Sequence, residues 1–304
     1  MLPVGRIIRT IPLTQTLLGV QAMAQGDGSL WVATSAFPHG SVLRIDPLTG
    51  RTIANISVGW APGALLVEPN RVWVSDTIGD GSQADADQNH VIAIDVTSNT
   101  VVATDQVPVP AGLASAADSI WVVSPDGNAY STVRRMSPVS GRVQQAIRIP
   151  EAGATQLVLA GGLLWTATLS ESGQADVWGL DPRDGKLRSP FSVAGGVTFL
   201  LSDGQSLFVV GSPDIGSIAR IDPSTGKQLA ASSHYDGLQA IGLGAGWIWL
   251  CTTDGGLHRV ALADLVDHGA PLHIAGSPAF VVASHTVWLM TDGGLVEIEP
   301  AASG

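Results

Sequence analysis

The feature that most constrains the fold is a short motif that recurs seven times along the chain. It consists of an aliphatic residue, an aromatic residue and further β-forming residues, as in Leu30-Trp31-Val32. The aromatic residues are Trp31, Trp73, Trp121, Trp165, Phe208, Trp249 and Trp288. They are separated by 42, 48, 44, 43, 41 and 39 residues, close to the ~40–45 residues of a four-stranded propeller blade. The aromatic residue of each repeat is therefore interpreted as packing between neighbouring blades, not as a ligand cage.

A second pattern follows several of these motifs: an alternating strand that ends in a tight turn. It is clearest in residues 42–50, which read Val-Leu-Arg-Ile-Asp-Pro-Leu-Thr-Gly, and it returns in 218–226. Proline fixes φ, the preceding aspartate can accept backbone N–H groups, and glycine takes the left-handed position. The pattern predicts a hairpin between the third and fourth strands of a blade. Its acidic residues are given a structural role: Asp46, Asp95, Asp181 and Asp222.

The two ends of the chain predict how the last sheet is completed. The final repeat stops at residues 295–300, a third strand with no fourth strand after it, whereas residues 5–11 match the fourth-strand pattern of 50–56. Pairing the two ends removes the exposed edges that an open sheet would present. We therefore predict an all-β, seven-bladed β-propeller with four-stranded antiparallel blades. It forms one domain over residues 1–304, with residues 1–12 as the outer strand of the last blade.

Charge and cysteine content exclude some classes of function. The net charge is −11 and the 15 Lys and Arg residues are scattered, so nucleic acid is not an expected partner. Cys251 is the single cysteine, which predicts a buried, inert thiol and no internal disulfide. No apolar run reaches the ~18 residues of a membrane span. We expect a monomer that is cytoplasmic, or exported with its signal already removed.

The blade pattern, with its aliphatic-Trp-Val motif and the Ile-Asp-Pro-x-Thr-Gly turn, resembles the bacterial YVTN-type and virginiamycin B lyase-like propellers over the whole chain. The lyase resemblance implies a metal-assisted β-elimination that opens a cyclic depsipeptide, with carboxylates and a histidine around Mg²⁺. In that family an acid often lies three residues after the aromatic. The positions here are Thr34, Asp76, Ser124, Thr168, Gly211, Thr252 and Thr291. Only Asp76 is acidic, so the carboxylate cluster for a divalent cation is missing and this lyase reaction is not expected.

Propellers usually bind ligands at the mouth of the channel, where the first strands begin. Counting back ten or nine residues from each aromatic gives mostly small and apolar residues, with a few amides and hydroxyls. This lining favours a neutral, partly hydrophobic small molecule, and the alternative is tight central packing without a ligand. The substrate-binding candidates from this count are Gln21, Gln156, Thr198, Phe199 and Gln239.

The strongest local cluster of reactive side chains is Ser233-His234-Tyr235-Asp236, on the loop that enters the sixth blade. His234, Tyr235 and Asp236 are the catalytic candidates, because protic groups of different pKa can share acid–base work. The alternative is a polar turn on a solvated rim. Two further substrate-binding candidates, Trp60 and His39, lie on the loops of blades two and one; loop packing is the alternative for both.

The longest insertion lies between strands two and three of blade two, at residues 76–90. Asp80, Asp85 and Asp87, with Asn89, place oxygen ligands at alternate spacings that Ca²⁺ can use. Asp76, the fourth aspartate of the insertion, is a further possible ligand of Ca²⁺ or Mg²⁺ and also a substrate-binding candidate. The glycine and closing glutamate of an EF-hand loop are absent. An acidic surface loop is the favoured interpretation, and no metal or other cofactor is expected.

Two hypotheses about function follow from the sequence. In the first, the funnel binds a neutral, partly hydrophobic molecule and catalyses a lyase, isomerase or cyclase reaction with acid–base help. In the second, the chain is a non-catalytic binding or protein-interaction scaffold.

Overall fold

The computed structural model describes residues 3–12, 19–35, 39–77, 89–127, 129–169, 174–193, 195–211, 216–275, 280–283 and 286–302. These residues form twenty-eight strands in seven four-stranded antiparallel sheets. The fold is therefore an all-β, seven-bladed propeller, as the repeat predicted. Within the described ranges, no helix is long and apolar enough to cross a membrane.

The chain divides into two compact units, residues 17–196 and a terminal unit of residues 1–16 with 197–304. The 17–196 unit contains blades one to four, and the terminal unit contains blades five to seven. In the first, the strands are β2 Val20–Gly26, β3 Ser29–Thr34, β4 Gly40–Ile45, β5 Thr52–Gly59, β6 Pro62–Glu68, β7 Arg71–Asp76, β8 His90–Asp95, β9 Thr100–Gln106, β10 Leu113–Ala116, β11 Ser119–Ser124, β12 Ser131–Met136, β13 Val143–Ile149, β14 Val158–Ala160, β15 Leu163–Leu169, β16 Ala175–Leu180 and β17 Phe191–Val193. In the terminal unit they are β1 Gly5–Ile11, β18 Val197–Ser202, β19 Leu207–Gly211, β20 Ile218–Ile221, β21 Gln228–Ala231, β22 Leu238–Gly244, β23 Trp247–Thr252, β24 Gly256–Ala261, β25 Leu272–His273, β26 Phe280–Ala283, β27 Val287–Thr291 and β28 Gly294–Pro300.

The N-terminal strand completes the last sheet. Strand β1 pairs antiparallel with β28 from Gly5 opposite Pro300 to Ile11 opposite Leu295. Two ion pairs tie the same strands together, including Arg9 to Glu297 with 2.5 Å between Nε and Oε2. The predicted closure is confirmed, and it gives β28 a partner on both edges.

The recurring aromatic residues lie on the second strand of each blade and are buried. Trp31 and Trp121 are fully buried, and each indole Nε1 donates to a backbone carbonyl five residues earlier in its own blade. The polar atoms of these two rings, Trp31 and Trp121, are thus satisfied inside the core. Burial agrees with the packing interpretation of the repeat.

Third-strand arginines join consecutive blades inside each unit. Arg44 donates to the carbonyl of Val96 at 2.6 Å. In the terminal unit, Arg220 donates to Ala263 at 3.0 Å and Arg259 to Ala301 at 2.6 Å. Each acceptor is in or beside the turn that follows the third strand of the next blade, so the guanidinium fixes the spacing between adjacent sheets.

Blade six departs from the regular hairpin between strands three and four. In blade five, Asp222 accepts the backbone N–H of Ser224 at 2.8 Å, as the turn signature predicts. Hydrogen bonds from Ser224 and Thr225 lower the pKa of that carboxyl. Blade six lacks the signature, its turn has Leu265 at a φ of 60°, and β25 is only two residues long. The returning chain instead forms an isolated bridge between Asp267 and Val260.

Candidate functional site

Three of the five residues chosen by counting back from the aromatics are β-bulge residues. Gln21, Thr198 and Gln239 are each skipped in the pairing of the first strand with the second strand of their blade. A bulge re-aims its side chain away from the regular alternation. Gln21 and Gln239 are exposed, and Gln21 Nε2 donates to Ser35 Oγ at 3.1 Å. The count from the aromatic thus locates a recurring irregularity of the backbone.

The other two residues from this count are partly buried. Phe199 follows the bulge on β18 and packs against the hydrophobic core between blades five and six. Gln156 precedes β14 in the 17–196 unit. Phe199 therefore belongs to the same unit as the loop of His234, Tyr235 and Asp236, whereas Gln21 and Gln156 belong to the other unit.

The loop that carries the three catalytic candidates is held at both of its ends. The N–H of Tyr235 donates to the carbonyl of Gly216 at 2.9 Å, and the carbonyl of Gly237 accepts from Thr253 at 2.8 Å. Gly237 has a φ of 66°, a conformation that glycine adopts without strain. His234, just before the first anchor, and Asp236, between the two, are exposed, with 2.9 Å between Nε2 and Oδ1.

Tyr235 faces inward, in contrast to its two neighbours. It is 6% exposed and belongs to the hydrophobic core between blades five and six. Burial raises the pKa of Tyr235 to about 12, and the charge of Asp267 adds to this effect. A hydrogen bond with the Ser233 side chain lowers the pKa by less. The phenol is therefore a neutral anchor of the loop over the ordinary pH range.

Beside Tyr235 lies a second histidine–aspartate pair, which the sequence pattern did not predict. The ring of His258 meets that of Tyr235 edge to face, with 5.3 Å between centroids. Its Nδ1 lies 2.8 Å from Asp267 Oδ2. One indirect signal was present in the sequence: the turn signature is lost in blade six, and that irregular turn brings Asp267 beside the third strand.

In the 17–196 unit the structure brings together three other candidates. Asp76 is 1% exposed, and its Oδ1 accepts the backbone N–H groups of Trp60 and Ala61, both at 2.9 Å. Burial raises the pKa of Asp76, while the two N–H groups lower it less. Trp60 is 42% exposed and lies edge to face with His39, with 6.2 Å between ring centroids. Asp76 thus holds the backbone at Trp60, one member of an exposed aromatic pair.

The residues three places after each aromatic have a common structural role in several blades. The hydroxyls of Thr34 and Thr291 donate to carbonyls of the facing third strand, at 3.3 and 3.1 Å. Threonine here ties the end of strand two to the start of strand three. Asp76 occupies the same position in blade two but reaches the turn before β6, which explains why a carboxylate stands among hydroxyls.

No metal centre is found among the described residues. Of the four aspartates considered as possible cation ligands, the described residues include Asp76, whereas Asp80, Asp85 and Asp87 lie outside them. Within the described ranges there is no group of three or more His, Cys, Asp or Glu residues arranged to hold a metal ion.

Cys251 is buried, and burial raises the pKa of its thiol to about 12.

Comparison with known proteins supports the fold and goes no further. No protein-family model and no curated protein sequence matches the chain. Among solved structures, Kuenenia stuttgartiensis hydrazine synthase matches with a TM-score of 0.77 and 12% identity, covering 96% of this chain and 98% of that chain. The WD40 β-propeller domain of Doa1 matches with a TM-score of 0.70 and 13% identity, covering 97% and 96%.

The computationally designed Ika8 protein is also similar, with a TM-score of 0.67 and 16% identity over 93% of this chain and 83% of that chain. At such identities the likeness shows the fold alone. The chain is therefore a seven-bladed β-propeller, a class whose members differ widely in function. Its function has to be argued from its own residues.

Proposed function

We propose that the chain binds a neutral, partly hydrophobic small molecule beside residues 233–236, the loop that enters blade six. We further propose that the chain provides acid–base help for a lyase, isomerase or cyclase reaction. The observation that carries this proposal is the exposed His234–Asp236 pair on a loop anchored by a buried Tyr235. A rigid loop that presents two titratable side chains is a preorganised site for orienting a polar ligand group.

The surroundings of the loop support a ligand with both polar and apolar parts. The bulge residue Gln239 exposes an amide two residues after Gly237, and amides can both donate and accept hydrogen bonds. Phe199, in the same unit, adds a partly buried apolar ring. This mixture resembles small-molecule sites, where a few placed polar groups orient a largely apolar ligand.

A metal-dependent lyase of the virginiamycin B type is not part of the proposal. Asp76 is the sole carboxylate at the family's acidic position, and its Oδ1 is already bound to two backbone N–H groups. The resemblance to that family and to the YVTN-type propellers is kept as a proposal about ancestry, supported by the blade motifs.

Ligand-observed NMR on the full chain tests the proposal. The probes are neutral fragments that join an apolar ring to a hydroxyl or amide group. We expect His234→Ala to lower the affinity for the fragments that bind the wild type by about tenfold, or ~1.4 kcal/mol of binding free energy. Lys186→Ala is the matched control, because it removes the cation of another exposed pair, 2.9 Å from Asp184. Absence of binding, or equal binding by His234→Ala, would contradict the proposal.

The second candidate function is a non-catalytic binding propeller, and the exposed Trp60–His39 pair favours it. Exposed tryptophans held by a rigid backbone are typical centres of binding surfaces. The same NMR experiment separates the two functions. If Trp60→Ala abolishes fragment binding and His234→Ala does not, the Trp60–His39 pair is the site and acid–base chemistry at His234 loses its support.

A further inference from the structure

The His258–Asp267 pair has a defined chemical polarity. An ionised carboxylate only accepts hydrogen bonds, so the proton in this contact lies on His258 Nδ1. A neutral imidazole then carries a free lone pair on Nε2, and the carboxylate fixes both the tautomer and the ring orientation. The side chains of His258 and Asp267 are 17% and 31% exposed, so the pair is shielded but can be reached from solvent.

The Nε2 atom lies close to Gly256, at the polar end of the β23–β24 hairpin. A methyl group built on Gly256 would lie 3.0 Å from His258 Nε2, 3.0 Å from Thr252 Oγ1 and 3.3 Å from Asp254 Oδ1. The Thr252 hydroxyl already donates to Asp254 at 2.5 Å. That bond is the first of the contacts that lower the pKa of Asp254, followed by the N–H of Gly256 and the charge of His258. No described residue donates a hydrogen bond to Nε2, which leaves its lone pair for a ligand.

Tyr235 gives this acceptor an apolar neighbour. Its ring packs edge to face on His258, and it belongs to the loop that also carries His234. A ligand that reaches Nε2 would therefore lie near a neutral aromatic ring, on the loop that also carries the exposed His234–Asp236 pair. Such a position suits a hydroxyl or amide N–H that is attached to an apolar group.

We propose that His258 is the proton acceptor of this face, with Asp267 as its positioning residue, and that the ligand presents an O–H or N–H to Nε2. The inference rests on the proposed function and names the group that meets the ligand. In a reaction, the ligand's proton moves to Nε2, the Asp267 carboxylate compensates the imidazolium charge, and the same proton returns to the product.

The tautomers of the histidines in the full chain provide the test. Long-range ¹H–¹⁵N correlation spectra are recorded at a pH where imidazoles are neutral, for the wild type, Asp267→Asn and Asp236→Asn. We expect the His258 proton on Nδ1 in the wild type and in Asp236→Asn. In Asp267→Asn we expect it on Nε2, because the new amide can donate to Nδ1. A wild-type His258 protonated at Nε2 would overturn the proposal, and so would an unchanged tautomer in Asp267→Asn.

Fragment binding gives a second readout. A fragment with an indole N–H, which only donates, should bind about tenfold more weakly to Asp267→Asn, whereas its N-methyl analogue should bind both proteins equally. If the indole fragment binds both proteins equally, the role of His258 is wrong and the proposed function stands. If no fragment binds the wild type, both fail. If Asp267→Asn does not fold, the tautomer of His258 in the wild type tests the proposal. Asp267→Glu keeps the carboxylate, so its His258 should also carry the proton on Nδ1.

Discussion

The two histidine–aspartate pairs of blade six have nearly the same separation but very different surroundings. His234 and Asp236 lie 2.9 Å apart with side chains 45% and 99% exposed, whereas His258 and Asp267 lie 2.8 Å apart with 17% and 31% exposed. Water screens the first pair, so it contributes little to stability. The second pair is partly desolvated, so its carboxylate can fix one tautomer of the imidazole. A short distance alone therefore does not indicate which pair is preorganised for chemistry.

Removal of residues 1–12 should have the largest effect and should affect both pairs alike, because β1 completes a sheet of their unit. We expect loss of the cooperative thermal transition in circular dichroism, since β28 would lose one edge partner. Arg6→Ala is the control. It breaks only an exposed ion pair with Glu299 and should change the free energy of unfolding by less than ~0.5 kcal/mol. A truncated chain that melts like the full chain would contradict this account of closure.

Asp267→Ala should separate the two pairs. It leaves the partly buried His258 Nδ1–H without its acceptor, at a cost of about 2 kcal/mol in the free energy of unfolding. Asp236→Ala, at an exposed position, should cost less than ~0.5 kcal/mol. Urea denaturation of both variants measures the difference. Equal costs would show that burial does not distinguish the pairs.

Tyr235→Phe should change how stability depends on alkaline pH. The folded pKa of about 12 lies above the ordinary value of 10.0, so the unfolded chain loses this proton first as pH rises. The contribution of Tyr235 is therefore complete below pH 10 and is lost as pH rises towards 12. The wild type should lose more stability over this range than Tyr235→Phe. Parallel curves from urea titrations would argue that Tyr235 is not the buried anchor of the loop.

His234→Ala should have the smallest effect on stability. Its partner Asp236 is almost fully exposed, and no core contact is removed, so the melting temperature should match the wild type within experimental error. Fragment binding should nevertheless weaken. A clear drop in melting temperature would instead indicate a structural role for the exposed pair.

Much of the fold could be predicted because the repeat encodes it directly. The aromatic spacing identified the second strand of each blade, and the unmatched ends predicted the pairing of β1 with β28. Gln21, Thr198 and Gln239 were found by the same count, although the reason they stand out is a bulge in each first strand. These features are local or periodic, so one sequence is enough to reveal them.

The candidate site was only partly predictable. His234 and Asp236 are neighbours in the sequence, whereas His258 and Asp267 are joined by a turn that follows no repeat. Asp76 was noticed as an acid in a row of hydroxyls, but its bond to the Trp60 backbone depends on the path of the turn before β6. Contacts made through irregular turns leave no periodic signal, so the sequence alone could not predict these contacts.

The most direct test of the account is a map of amide shifts in isotope-labelled full chain during titration with a fragment that binds. The account predicts that the perturbed amides cluster in residues 233–239 and 253–258, around both histidine–aspartate pairs. Perturbations confined to Trp60 and His39, or spread over the outer strands, would contradict it.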